Sequence, residues 1–485
     1  MTPIGILITM AAYFAAMLFV SRMAAGGGEN SAFFRGRRNT GWWVVAFAMI
    51  GSCMSGVTFV SVPGMVGVSG MAYLQMCMGF FLGYMVIAFV LVPLYFRLNV
   101  YSIYQYLEGR FGLTAYKTGA WFFFLSKMLG ASVRLYLVCL ILQMLAFGPL
   151  GLPFVLNVFL AMIVVLAYTR RGGVNSLVWT DVLRTGCMLT AVVLTLVSIA
   201  RDLGLDLLGM VEAIRGSEMS RVFHFDDINH PQYFWKQFLG GLFTVIAMTG
   251  LDQDMMQHTL CCKSPSDSQK NLIVSTLLQN LVIFFFLCLG VLLYLYADAN
   301  GIRESGDRLF PAVATDGRLP AIVGILFTIG LTASAFGAGG SALTALTTSF
   351  TVDILGTGGK DETAVRRTRN RVHLAMAAGM GAVILIFSKL NSTSAIDAVY
   401  KLASYTYGPI LGMFAFGVLT RRRVKDRRVP LVAVLSPLIC LVLQLNSERW
   451  FGGYRFSYEL LPLNAALTFA GLRIFCTFPS SSDTR

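Results

Sequence analysis

The sequence predicts an all-α integral membrane protein with about 13 transmembrane helices, and three observations carry that expectation. Of the 485 residues, 56% are hydrophobic and only 13% charged, where a soluble domain carries about 25%; the mean hydropathy is +0.69. Apolar stretches of about 20 residues, enough to cross the hydrocarbon of a bilayer, recur along the whole chain. Two of them contain helix-loosening residues at the depth where a membrane helix is ordinarily continuous.

In order, the spans fall near 2–21, 43–62, 71–96, 118–147, 153–169, 174–200, 236–251, 271–297, 320–352, 372–390, 394–419, 430–446 and 460–477. The first, within 1–22, has no basic residue before it and arginines after it, the reverse of a signal peptide's charge order, and reads as a retained anchor helix. The second carries "AMIGSCMSGVTFVSVPGMVG" at 48–67, where Gly51, Ser52, Ser55, Gly56, Thr58, Ser61, Pro63 and Gly64 interrupt helical hydrogen bonding. Backbone unwound at that depth lines a cavity or lies buried, and its freed groups can bind ions or small molecules. A second candidate break is "KQFLGGLFTVIAMTG" at 236–250, with Gly240, Gly241 and Gly250, although glycines in membrane helices also serve close packing. The spacing gives five spans over 42–200 and five over 236–420, separated by a loop at 201–235, with a break in the first helix of each half. The 201–235 loop has room for a short surface helix, and two further spans fill 429–478.

The net charge of +14 excludes little until its distribution is read. Basic residues crowd alternate loops, from Arg35, Arg37 and Arg38 to "RRRVKDRR" at 421–428, while the opposite loops mix Arg with Asp and Glu. The positive-inside rule then sets the N-terminus outside and the C-terminus in the cytoplasm of a cell membrane, and the excess reports topology instead of nucleic-acid binding. Nine cysteines lie mostly inside spans, as small apolar packing residues do, and Cys261 and Cys262 sit at a span edge. The four histidines are scattered, so no cluster suits an enzyme's nucleophile or metal. No glycine-rich phosphate loop followed by Lys and Ser or Thr is present; a gradient, not ATP, would supply energy.

Three ordered stretches resemble the signatures of the sodium:solute symporter family: "SGVTFVSVPG" in the second span, "RGGVNSLVWTDVLRT" entering the sixth, and "DQDMMQHTLCCKSPSDSQKN" after the seventh. "DRLFPAV" and "SALTALTTSFTVDIL" add weaker support. The resemblance covers nearly the whole chain and implies the five-plus-five inverted-repeat (LeuT-like) core. It also implies sodium-coupled symport of a small solute by alternating access, with Na+ as coupling ion and no other cofactor.

Carried onto this chain, the family's common sodium site falls on the carbonyls of Gly51, Met54 and Ser334, but its two hydroxyl positions are Gly337 and Ala338. A second family site falls on Asp181 and Ser341, with Gly340 and Gly337 in place of other ligands. A hard cation needs about five or six oxygens, so the departure at Gly337 and Ala338 weakens the common site. Arg184, one turn from Asp181, stands where the resemblance leads one to expect glutamine, and offers a fixed positive charge where other members bind an ion. Substrate-lining residues implied by the resemblance are Ser55, Val57, Thr58 and Gln75. Arg134 matches, by position, the arginine that grips the carboxylate in the family's sialic acid transporters.

From chemistry alone, Lys127 and Arg134 lie two turns apart on one helix face, and a mid-membrane guanidinium presents a fork suited to a carboxylate. Either residue can instead snorkel or pair with an acid such as Asp397. Asp252, Asp254 and His258 read as solvated or gating groups at a span end, and Asp397 with Lys401, at i and i+4, as a structural ion pair. The solute expected is an anionic sugar such as sialic acid, and the chain a monomer or weak oligomer in the bilayer. A sodium-independent or proton-coupled carrier, or a transporter-like receptor, is the alternative.

Overall fold

The computed structural model describes residues 2–24, 42–98, 103–169, 174–260, 262–356, 362–390 and 394–477. Helices α1 (Pro3–Ala24), α2 (Trp42–Cys53) and α3 (Gly56–Ser69) come first, then α4 (Tyr73–Leu98), α5 (Gln105–Arg110), α6 (Leu113–Phe147), α7 (Phe154–Thr169) and α8 (Val174–Asp202). There follow α9 (Leu207–Gly216), α10 (Phe234–Val245, continued as a π-turn over Ile246–Gly250), α11 (Gln253–Leu260), α12 (Pro265–Asn300) and α13 (Leu309–Thr315). The chain closes with α14 (Ala321–Ile354), α15 (Glu362–Leu390), α16 (Ala395–Leu419), α17 (Val429–Trp450) and α18 (Leu460–Ile474). One short antiparallel strand pair, Arg423–Val424 with Cys476–Thr477, ties the segment after α16 to the segment after α18.

Each stretch read as a span coincides with one of these helices or with a broken pair of them. Among the described residues, eight helices are long and apolar enough to cross a membrane, the bent α2–α3 pair makes a ninth, and α1, α7 and α18 carry shorter apolar runs. The expected surface helix in the 201–235 loop is α9, started by Asp206, whose carboxylate accepts the Gly209 N–H at 2.7 Å. Helix α12 starts where "SPSD" dictates: the Ser264 hydroxyl accepts the Asp267 N–H, and Pro265 takes the first helical position.

The first candidate is a break, whereas the second stretch, 236–250, is helical throughout and the chain leaves the helix just past its end. Helices α2 and α3 meet at 58° across Met54 and Ser55, with Ser55 extended at φ −88°, ψ 173°. The second interruption lies at Leu251–Asp252, just past Gly250. Gly241 serves packing: a Cβ there would stand 2.2 Å from the Met76 carbonyl oxygen, and one at Gly79 would stand 2.1 Å from that of Phe238. Helices α4 and α10 therefore touch backbone to backbone, which only glycine permits. Helix α3 is anchored by Phe59, whose ring meets Phe286 of α12, Phe310 of α13 and Phe327 of α14 at centroid distances of 5.8, 5.2 and 5.5 Å.

Candidate functional site

Between the two breaks lies a cavity lined by Cys53 and Thr58 from the first, Thr249, Asp252 and Met255 from the second, Lys127, Gly130 and Arg134 from α6, and Tyr400 and Tyr407 from α16. About 110 Å³ is open to the centres of water molecules. The space holds several waters, or a small solute of similar size.

One end of the cavity is a buried ionic cluster. Lys127 Nζ lies 3.1 Å from both Asp252 carboxylate oxygens and 3.0 Å from Asp254 Oδ2. The Tyr407 hydroxyl donates to Asp252 at 2.6 Å, as do the N–H groups of Asp254 and Met255 at 2.9 and 3.2 Å. Asp252 thus ends the second break and caps the N-terminus of α11. The carbonyls freed there are also satisfied: Tyr95 and Tyr104 hydroxyls donate to Gly250 and Leu251 at 3.0 and 2.8 Å. Formally the cluster carries one positive and two negative charges.

Arg134 stands seven residues beyond Lys127, about 10 Å along the helix at 1.5 Å per residue. It is partly buried and lines the cavity. Among the described residues no hydrogen bond or ion pair engages its guanidinium. The cavity is therefore polarised, positive at Arg134 and net negative at Asp252 and Asp254.

A second junction, outside the cavity lining, joins α2, α8 and α14. Arg184 and Asp181 form a buried ion pair at 2.9 Å, with side chains 3% and 8% exposed. A Cβ on Gly337 would stand 2.2 Å from Arg184 Nη1, and one on Gly51 would stand 2.4 Å from Thr185 Oγ1 and 3.3 Å from Arg184 Nε. Thr185 donates to Asp181 O of its own helix at 2.8 Å and reaches Phe47 O of α2 at 3.4 Å.

Among the residues named from sequence, Thr58 and Arg134 come together in the cavity, while Ser55 and Val57 are buried beside it in the same helix start. Gln75 is elsewhere: its amide bonds Gln232 O at 3.0 Å and accepts the His224 N–H at 3.1 Å, pinning the loop before α10. Gly51, Asp181 and Arg184 meet at the second junction; Met54, in the break, and Ser334, on α14, are buried. Ser334 and Ser341 hydroxyls donate to Leu331 and Ala338 carbonyls of their own helix.

Two sequence expectations are corrected. Lys127 pairs with Asp252, at the break, and Asp254, in the first turn of α11, and all three are buried instead of solvated. Asp397 accepts the Tyr458 hydroxyl, and among the described residues no ion pair joins it to Lys401, which is exposed. The side chain of His258, and Cys261, lie outside the described residues. Sequence spacing could not have found Lys127's partners, since 125 residues separate Lys127 and Asp252.

Comparison with known proteins agrees with this architecture. The sodium:solute symporter family model matches residues 33–422. The chain is 24% identical over 427 residues to the human sodium/iodide cotransporter, covering 84% of this chain and 65% of that one's length. It is 25% identical to the sodium/sialic acid symporter NanT of Aliivibrio fischeri over 86% of this chain and 83% of the relative. It is also 25% identical to the mouse sodium-coupled monocarboxylate transporter 1, over 93% of this chain and 74% of the relative. Among solved structures, a substrate-bound, outward-open Na+-coupled sialic acid symporter superposes with a TM-score of 0.80 at 19% identity, covering 97% of each chain. With broken helices, a central cavity and a family match over most of its length, this multi-pass membrane protein belongs to the sodium:solute symporter family.

Proposed function

We propose that the chain carries a small anionic solute across the membrane by sodium-coupled symport, with Arg134 as the anion-binding group. The observation that carries the reading is the Arg134 guanidinium lining the central cavity without a counter-ion among the described residues. A guanidinium in that setting gains most from a carboxylate or other anion that completes its hydrogen bonds. Charge balance supports co-transport. The cavity is formally neutral, with Arg134 offsetting the net negative Lys127–Asp252–Asp254 cluster, so an anion entering alone would leave uncompensated charge in a low-dielectric space. An accompanying cation restores neutrality.

The solutes in the relatives' names, iodide, sialic acid and monocarboxylates, are chemically diverse but all anionic. A cavity of this size favours a monocarboxylate-sized anion as the helices stand. A bulkier acidic sugar requires the helices to part.

The wider reading is a five-plus-five inverted repeat over 42–200 and 236–420, rocking about the two breaks in alternating access. Thirteen crossings, the N-terminus outside, the C-terminus cytoplasmic, and a monomer or weak oligomer complete it; the loop charge asymmetry supports the orientation. The test is uptake of radiolabelled lactate, sialic acid and iodide into proteoliposomes, with and without an inward sodium gradient. Sodium-driven accumulation of one anion, abolished in Arg134→Gln, is expected. Anion uptake indifferent to Arg134→Gln would reject the assignment.

A further inference from the structure

We infer that the guanidinium of Arg184 is a resident cation, built into the junction of α2, α8 and α14 in place of a sodium ion, so that no coupling ion binds there. The inference rests on the transport reading only in naming sodium as the ion replaced.

The geometry makes the substitution reciprocal. On the α14 side, position 337 is glycine, and any side chain there would claim the space of Arg184 Nη1, 2.2 Å from its Cβ. On the α2 side, position 51 is glycine, and its Cβ would crowd Thr185 Oγ1, the Asp181 carbonyl and Arg184 Nε at 2.4, 2.8 and 3.3 Å. Arg184 thus lies in the space that missing side chains on two other helices leave open.

The chemistry leaves little for a sodium ion. Gly337 and Ala338 supply no side-chain oxygen, whereas a hard cation draws on about six. The carboxylate of Asp181, the acid that would attract a cation, is already neutralised by Arg184 at 2.9 Å. A second cation beside the guanidinium would meet like charge in a buried site, where repulsion greatly exceeds thermal energy.

Unlike a bound ion, the guanidinium cannot dissociate. Its ion pair with Asp181 lies within α8, so the charge stays in place through the transport cycle, and the carrier uses one sodium fewer than a chain with hydroxyls at 337 and 338. The remaining cation requirement falls on the negative end of the cavity.

The experiment is equilibrium binding of radioactive sodium to the purified full chain in nanodiscs, with choline holding ionic strength constant and no solute present. Gly337→Ser with Ala338→Ser, Arg184 kept, is expected to bind the same number of sodium ions per chain as the unaltered protein. Adding Arg184→Gln to that pair is expected to raise the count by one and to make thermal stability rise with sodium but not with choline. A sodium gained by the serine pair alone would overturn the inference, as would a monodisperse triple variant that gains none. If the triple variant does not fold, the serine pair decides. Anion uptake through Arg134 is read in a different assay, so failure of the transport reading leaves the sodium counts intact, and the reverse.

Discussion

The two cations of α6 sit two turns apart in one cavity, yet their removal has opposite expected consequences. Lys127→Met deletes the cation shared by Asp252 and Asp254, whose side chains are 4% and 7% exposed. Breaking a buried ion pair by removing one partner costs about 3–5 kcal/mol. Asp252 keeps the Tyr407 hydroxyl and two backbone N–H groups, so the lower end of that range is expected. Arg134→Gln removes a charge with no direct partner. Its attraction to the net negative cluster, about 10 Å away, is about 1.7 kcal/mol at an effective dielectric of 20. Recovered desolvation offsets most of that, leaving a net change within about 1 kcal/mol. The assay is unfolding of purified protein in nanodiscs by heat and by denaturant, with Lys127→Met/Asp254→Asn as the compensating variant expected to recover part of the loss. Anion uptake should fall in Arg134→Gln despite near-normal stability. An Arg134→Gln destabilisation as large as that of Lys127→Met would refute the reasoning, because it would require a structural partner for Arg134.

Three further perturbations probe other parts of the molecule. A Cβ on Gly130 meets nothing within 4 Å, although the residue lines the cavity; Gly130→Ala should leave stability unchanged or raised by about 0.4–1 kcal/mol, and Gly130→Val should narrow the cavity and weaken solute binding in equilibrium titrations. Gly79→Ala forces a methyl against the Phe238 carbonyl oxygen at 2.1 Å; about 1–3 kcal/mol of destabilisation follows from overpacking, and a neutral result in thermal unfolding would mean that α4 and α10 slide apart freely. In the loop pinned by Gln75, partial burial and then neighbouring Arg221 and His230 hold the His224 imidazole below its ordinary value. Its neutral form is thus favoured in the docked loop, and the stabilisation, present above the unfolded value of about 6.5, is lost as pH falls through the lowered folded value. Protection factors in the 217–233 loop, taken relative to the intrinsic exchange rate at each pH, should fall on acidification and lose much of that pH dependence in His224→Gln.

What was legible in the sequence follows from the range of the interactions involved. The first break was readable because its cause is local: Ser55, Gly56 and Pro63 weaken the helix within a few residues of one another. The shared face of Lys127 and Arg134 was readable because seven residues make two turns. Their difference was not, since it depends on Asp252 and Asp254 arriving from a helix more than a hundred residues away. Gln75 is a polar residue at a suitable depth, and nothing nearby in sequence reveals that its amide is spent on Gln232 and His224. Arg184 lies between these cases: its pairing with Asp181 is local, but the room made by Gly51 and Gly337 requires three helices to converge.

The two breaks also solve the same backbone problem in different ways. An interrupted helix leaves carbonyls and amides that a membrane interior cannot hydrate. At Leu251–Asp252 tyrosine hydroxyls take the freed carbonyls, and the Asp252 carboxylate takes the amides of the next helix. That break is closed by its own neighbours, and what it offers the cavity is an acid already held by Lys127. At Met54–Ser55 the helix start carries Thr58 into the cavity, while Gly51, one turn earlier, faces the Arg184–Asp181 pair. Fixed charge therefore flanks both breaks in paired form, and Arg134 is the cavity cation left for a mobile ligand to satisfy. Specificity for an anion then follows from which positive charge the fold leaves unmatched, more than from the shape of a backbone site.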